Sequence, residues 1–244
     1  MVYLLGLLTV FYASSFGLRS AFAQGLNPGK DNREEERINM VATQIESRGV
    51  KDQNVLAALR KVPRHLFVAE NTKAFAYDDN ALPIECRQTI SQPYIVGLMT
   101  ELARIGPGDK ILEIGTGSGY QAAVLAELAE IVFSIEIIPE LAQKALETLN
   151  RLGYTNIQIR TGDGYQGWPE QAPFDAIVVT AAAGEIPNEL VKELKIGGRM
   201  VIPLGDFSQE LYVLTKNEDG TLTKENIIPV RFVPMIHGKN KKNE

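Results

Sequence analysis

Cysteine and histidine are scarce in this 244-residue chain: one thiol, Cys86, and two imidazoles, His65 and His237. A lone cysteine closes no internal disulfide, and so few ligands exclude a structural zinc cluster, so no metal site is expected. Positive charge is not in excess either, since 25 Lys and Arg stand against 30 Asp and Glu for a net −5. That balance leaves no electrostatic footprint for gripping a nucleic-acid backbone, and nucleic acid is not expected as a partner. Internal repeats and low-complexity tracts are missing as well. What is there, 45% hydrophobic and 23% charged residues, is globular in balance and excludes a disordered, collagen-like or multi-spanning membrane chain. At about 150 residues per domain, the length predicts one large domain or one with a small appendage.

The longest uncharged apolar run stands at the start. Residues 2–18 carry no charge, Arg19 follows, and then Ala21-Phe22-Ala23-Gln24. The run falls a little short of the ~20 residues a membrane span needs. Ala21-x-Ala23 fits the small-residue pattern of a cleavage site. No Lys or Arg precedes it. Residues 1–23 therefore read as a signal-like leader cleaved near Ala23, with an uncleaved anchor or a translation start at Met40 as alternatives.

Two helices are expected next. Asp31 and Asn32 offer N-caps with Glu34 and Glu35 three residues behind, Ile38, Val41 and Ile45 form a stripe, and Gly49 is a stop. The charged residues 33–37 read as a solvated first turn. Asp52 opens a second helix carrying Val55, Leu56 and Leu59 that must end before Pro63. Residues 24–80 thus form a helical segment without strand signals, preceding a domain at 81–244, the two expected as one compact unit.

From Asp109 short β-branched runs alternate with helical stripes, the pattern of a parallel sheet with crossover helices. Strands are expected at 110–114, 131–137, 156–160, 174–180 and 199–203, and helices at 120–130, 139–152 and 188–195, the last stopped by Gly197-Gly198. Asp219-Gly220 between β-rich runs predicts a closing hairpin. The fold class is α/β, a doubly wound Rossmann-like sheet with a helical N-terminal segment and a C-terminal β-hairpin.

Chemistry concentrates in Leu112-Glu113-Ile114-Gly115-Thr116-Gly117-Ser118-Gly119-Tyr120, between the first strand and the first crossover helix. Glycine there lets backbone approach a ligand, and the helix N-terminus offers free N–H groups. A dinucleotide fingerprint needs its third glycine at position 120, where Tyr120 stands. Instead Gly115, Gly117 and Gly119, with Glu113 two residues before them, resemble the cofactor loop of S-adenosylmethionine-dependent methyltransferases. A turn serving only tight packing is the bland alternative. Glu136, ending the second strand, can accept from ribose hydroxyls. Asp163 and Gly164, after the third, can meet an exocyclic adenine amine, though Asp-Gly is also a common turn. Asp175 reads as structural, His65 as packing and Trp168 as core or pocket wall.

Gln88-Thr89-Ile90-Ser91-Gln92-Pro93 precedes a helix expected at 94–104, with Ser91 legible locally as its N-cap. Together with Val62-Pro63-Arg64-His65-Leu66-Phe67-Val68, Gly162-Asp163-Gly164-Tyr165-Gln166-Gly167-Trp168 and Val230-Arg231-Phe232-Val233-Pro234, this segment resembles the protein-L-isoaspartate O-methyltransferase family over about residues 35–236. The resemblance implies methyl transfer from S-adenosyl-L-methionine to the carboxylate of L-isoaspartyl residues in damaged proteins, beginning their repair. It carries Ser91 over as the catalytic-site residue, with Thr89 beside it. Isoaspartyl peptides and proteins are the implied partners, a monomer the implied state, and the cytoplasm, where the cofactor is made, the implied location. A periplasmic or secreted enzyme is the alternative, and membrane association is expected only with an uncleaved leader.

The chain departs from the family at one place. The usual pattern before the glutamine is I-G-x-G-Q-T, and here Glu85 and Arg87 replace the glycines. If those glycines serve positive φ, the loop must be rerouted; if they make room, acceptance is altered. The competing functions are a small-molecule methyltransferase, a nicotinamide reductase, which Tyr120 opposes, and a cofactor-binding module that is catalytically silent.

Overall fold

Helical spacing of apolar residues shapes the start of the chain. The computed structural model describes residues 33–238, so the leader and the caps Asp31 and Asn32 lie outside the described residues. Helix α1 (Glu34–Met40) widens into a π turn at Val41–Ile45, tightens at Glu46–Arg48, and stops at Gly49 with φ +104°. Its buried stripe is Arg37, Met40, Val41 and Ile45; Ile38 is 45% exposed and is not part of it. Arg37 also departs from the expected solvated turn, because its guanidinium is buried and donates to the Arg60 carbonyl. Helix α2 (Gln53–Lys61) starts at Asp52, whose carboxylate accepts from the N–H groups of Asn54 and Val55, and ends before Pro63.

A hairpin then appears where no strand is expected. Its strands β1 (Leu82–Pro83) and β2 (Thr89–Ile90) pair antiparallel around a tight turn at Glu85–Arg87. Helix α3 (Pro93–Ala103) follows with Gln92, not Ser91, at the N-cap and Pro93 in the first turn. The proline, which needs no N–H partner there, sets the boundary one residue past Ser91.

The alternating part comprises β3 (Lys110–Ile114), α4 (Tyr120–Ala126), β4 (Ile131–Glu136), α5 (Pro139–Arg151), β5 (Ile157–Thr161) and β6 (Phe174–Val179). After these come α6 (Asn188–Glu193), β7 (Leu194–Leu204), β8 (Gln209–Lys216) and β9 (Leu222–Val230). The sheet order is β5-β4-β3-β6-β7-β8-β9, with β3 to β7 parallel and β8 and β9 antiparallel to their predecessors. Two departures from expectation exceed a shift of one or two residues. Helix α4 ends at Ala126, short of residue 130, and Gly197-Gly198 lie within β7 rather than closing a helix. A Cβ on Gly198 would stand 2.8 Å from the Asp175 carbonyl, so these glycines let β7 approach β6 where their register shifts.

Period-two alternation buries both sheet faces. Leu112, Ile114, Phe133 and Ile177 pack with Leu190 of α6 on one side. Ile111, Val132, Ala176 and Val178 pack under Met99 of α3 and Leu125 of α4 on the other. The N-terminal helices add a cluster against α4 and α5. Strand β9 forms one edge of the sheet, with Thr223, Lys224, Glu225, Asn226 and Pro229 exposed.

Candidate active site

The chain leaves β3 toward β4 on one side and returns through β6 on the other, so the carboxyl end of β3 is a topological switch point, where open α/β sheets bind ligands. A solvent-open cavity lies there, about 630 Å³ with the open solvent it holds included. Its floor is Ile114, Gly115 and Gly117, and its sides come from the ends of β4 and β6.

Glycine is required twice in the loop after β3. Gly115 has φ +95°, and a Cβ there would sit 2.5 Å from Thr180 Oγ1, which donates to the Gly115 carbonyl at 2.6 Å. Gly119 caps α4 at φ +86°, and its missing Cβ leaves room for Ala145 and Leu149 of α5. The loop is fastened by carboxylates on both sides. Glu136 accepts from the Gly117 N–H at 2.8 Å and the Ile138 N–H at 3.0 Å, and lines the cavity. Glu113 sits beneath the loop, fully buried and in register with Ser134 of β4. Ser134 Oγ donates to Glu113, and Thr116 of the loop hydrogen-bonds Ser134 at 2.5 Å. Burial, aided by the Glu136 charge and only partly offset by the Ser134 hydrogen bond, pushes the Glu113 carboxyl up to about 8.

The site residues expected from the sequence divide accordingly. Thr89, Gly115, Gly117, Glu136 and Gly164 line the cavity; Ser91, Glu113, Gly119 and Asp163 do not. Ser91 is half-buried two residues beyond Thr89. Asp163 accepts from the Tyr165 N–H at 2.9 Å and, through its other oxygen, from the Gly238 N–H at 3.0 Å. Beside it His237 stacks on Tyr165 with ring centroids 3.9 Å apart, its Nδ1 3.5 Å from Asp163.

Three contributors to the cavity were not expected. Gln88 stands beside Thr89, Thr180 and Ala181 follow β6, and residues 233–236 run along the opposite rim. That C-terminal strap is held by the Ala182 N–H donating to the Val233 carbonyl at 2.8 Å and the Met235 N–H donating to the Ala182 carbonyl at 2.7 Å. Thr180 and Ala181 could have been found from the rule that ligands gather at strand carboxyl ends. In the strap only Val233 and Pro234 carry a signal, as the end of the Val230–Pro234 stretch of the family resemblance.

Other residues fall where expected. Asp175 holds the amino end of β6, accepting from the Lys110 N–H at 3.0 Å and pairing with Lys195 at 2.5 Å. His65 is buried, its Nδ1 2.7 Å from the Tyr77 hydroxyl. Trp168 packs edge-on against Phe133 under the Arg160 guanidinium. Cys86 and Arg87 in the β1–β2 turn both take positive φ, +55° and +58°, so of the two positions where the family pattern has glycine, Arg87 is left-handed and Glu85 is not.

Comparison with known proteins places this geometry. A relative from Geobacter metallireducens named protein-L-isoaspartate O-methyltransferase is 55% identical over 201 residues, 82% of this chain and 93% of its own. One of the same name from Gloeobacter violaceus is 54% identical over 202 residues, 82% of this chain and 98% of its own. A crystal structure from Plasmodium falciparum, described as a candidate protein-L-isoaspartate O-methyltransferase in complex with S-adenosyl-L-homocysteine, superposes with a TM-score of 0.73 at 27% identity, covering 83% of this chain and 99% of its own. The family profile described as protein-L-isoaspartate(D-aspartate) O-methyltransferase matches residues 35–240, and the chain belongs to that family.

Proposed function

We infer that this protein is an S-adenosyl-L-methionine-dependent protein carboxyl methyltransferase that methylates L-isoaspartyl residues of damaged proteins. One observation carries the chemistry: among the described residues Glu136 is the only ionisable group lining the cavity, and both its oxygens are already engaged by backbone N–H groups. No general base stands ready, which suits an acceptor that needs none. A carboxylic acid of pKa about 4 is an anion at neutral pH.

The residues fit the cofactor. Gly115 and Gly117 allow close approach beside α4, Glu136 faces the cavity with lone pairs left for ribose hydroxyls, and Gly164 lets Ile114 and Met235 pack directly against the backbone of the cavity wall. Asp163 and Gly119 belong to the same cradle, Asp163 toward the adenine amine and Gly119 by setting the path of the loop. Glu113 acts on the loop from below through Ser134 and Thr116. When bound, the cofactor supplies an electrophilic methyl group on a sulfonium. The chain then aligns a carboxylate oxygen with that carbon and excludes water from both charges. Thr89, on the cavity wall, and Ser91, which spends no hydrogen bond on capping α3, are the residues on the acceptor side. No covalent step falls to them; their hydroxyls orient the anion. We propose further that the enzyme acts as a monomer in the cytoplasm, where its cofactor is made. A mature chain beginning near Gln24 in a periplasmic or extracellular fraction would overturn that location. Among the described residues no helix is long and apolar enough to cross a membrane.

Incubation with methyl-labelled S-adenosyl-L-methionine and paired isoaspartyl and aspartyl peptides tests the function. Base-labile label is expected on the isoaspartyl member alone, and its absence rejects the reading. In the same assay Ser91→Ala is expected to lower kcat about tenfold or more, the loss of one oriented hydrogen bond to a charged group, with cofactor affinity and melting temperature unchanged. Unaltered kcat would remove Ser91 from the site.

A further inference from the structure

We propose that Arg87 is a specificity residue on the acceptor side, its guanidinium engaging an acidic side chain of the damaged polypeptide within a few residues of the isoaspartate. The inference rests on the methyl-transfer reading and adds a flanking-sequence preference to it.

Backbone strain marks the position. Arg87 sits at φ +58° directly after Cys86 at φ +55°. A left-handed conformation costs a non-glycine residue about 1–2 kcal/mol, and glycine takes it almost freely. An arginine kept where glycine would sit unstrained points to a contact made by its side chain. Glu85, at the other end of the turn, makes one: it pairs with Lys144 of α5, which holds its carboxyl below the usual carboxylate range. Arg87 does not. It is exposed and forms no ion pair, side-chain hydrogen bond or aromatic contact with any described residue. Because Lys144 is taken by Glu85, the turn presents a single uncompensated charge, and it is positive. The complement of that charge is an anionic group outside the chain.

Its position says which molecule that is. The turn leads directly into Gln88 and Thr89 on the cavity wall, and Ile84 at its other base approaches Gly117. Arg87 thus stands on the rim over which a polypeptide must pass to bring its isoaspartate to the cofactor. It is not among the residues lining the cavity, so it stands beside the reacting carboxylate and not on it. Ser91 is four residues further, up to ~13 Å along an extended chain, whereas a client strand advances only about 3.4 Å per residue. The guanidinium then meets a side chain within about four residues of the modified one. An acidic side chain there gives the charge-assisted, planar pairing for which arginine is suited.

The test compares kcat/KM for two isoaspartyl peptides, identical except for Glu or Gln at positions flanking the isoaspartate, in the unaltered enzyme and in Arg87→Gly and Arg87→Lys. The unaltered enzyme is expected to favour the acidic peptide roughly two- to fivefold, as for a solvent-exposed ion pair, through KM rather than kcat. Raising the salt to 0.5 M, about three times physiological ionic strength, should erase most of the preference. Arg87→Gly should abolish it and Arg87→Lys retain part of it. Arg87→Gly relieves strain and so threatens no folding failure. A preference that survives in Arg87→Gly, or is never present in the unaltered enzyme, overturns the role of Arg87 alone. Failure of the unaltered enzyme to methylate either peptide overturns the methyl-transfer reading instead.

Discussion

Glu113 shows how far a single residue's environment can contradict its sequence position. Two residues before a glycine loop it reads as a cofactor ligand, yet it is fully buried and reaches the loop only through Ser134 and Thr116. With its carboxyl raised to about 8 and the unfolded value at 4.5, it stays mostly neutral in the folded state at pH 7 while it ionises on unfolding. The unfolded state then binds fewer protons than the native one between those values. This residue's contribution to stability is therefore complete below the unfolded value and falls as pH rises toward 8, by at most roughly 4–5 kcal/mol. Urea unfolding between pH 5 and pH 8 should show the unaltered protein losing stability that Glu113→Gln does not lose. Parallel pH profiles would mean that the carboxyl ionises freely in place. Sequence alone could not indicate this, because the register of β3 against β4, not local order, brings Ser134 beside Glu113.

At the scale of elements, the loop from β3 to α4 was legible because its requirement is local. Gly119 is needed for its positive φ and for the approach of α5, and a Cβ there would come within 3.3 Å of both Ala145 and Leu149. Gly119→Ala is expected to cost roughly 1–2 kcal/mol from backbone strain, with crowding added. The shift in urea midpoint measures it, and a midpoint unchanged from that of the unaltered protein would show that the loop has a second path. The strands were legible for a similar reason, since each must be apolar to be buried between helix layers. Short elements were not. Strands β1 and β2 have two residues apiece, too few for any periodicity, and the glycines in β7 looked like a helix stop until the neighbouring Asp175 carbonyl supplied the reason for them. The π turn after α1 likewise moves the buried stripe onto Arg37 and away from Ile38, a change of angular phase that ideal helical spacing does not anticipate.

For the whole molecule, the cavity is a product of chain closure. Its floor and sides come from the centre of the sequence, and its rim comes from residues 233–236 near the end, tied to Ala182 by backbone hydrogen bonds. Backbone pairing of this kind has no composition signature, which is why Met235 and Ile236 were not expected, although the Val230 to Pro234 stretch that reaches into the strap belongs to the family resemblance. Truncation after Phe232 removes the strap but leaves β9 and the sheet intact. Calorimetric titration with S-adenosyl-L-homocysteine should then show affinity reduced about tenfold or more, the cost of about 1.4 kcal/mol of lost contact. Retained affinity would mean that the rim is dispensable.

Strand β9 gives the sheet an open edge nine residues long, in an enzyme whose clients are damaged chains with backbone groups exposed. Such an edge invites strand addition, and with it co-aggregation with the proteins to be repaired. Its composition works against that outcome. Lys224 and Glu225 make the exposed surface charged, Pro229 has no N–H to donate, and the register shift between Leu211 and Tyr212 interrupts the pairing behind it. The edge is thus built against strand addition: a sheet that ends in an exposed row of backbone groups is kept from growing by the side chains along it.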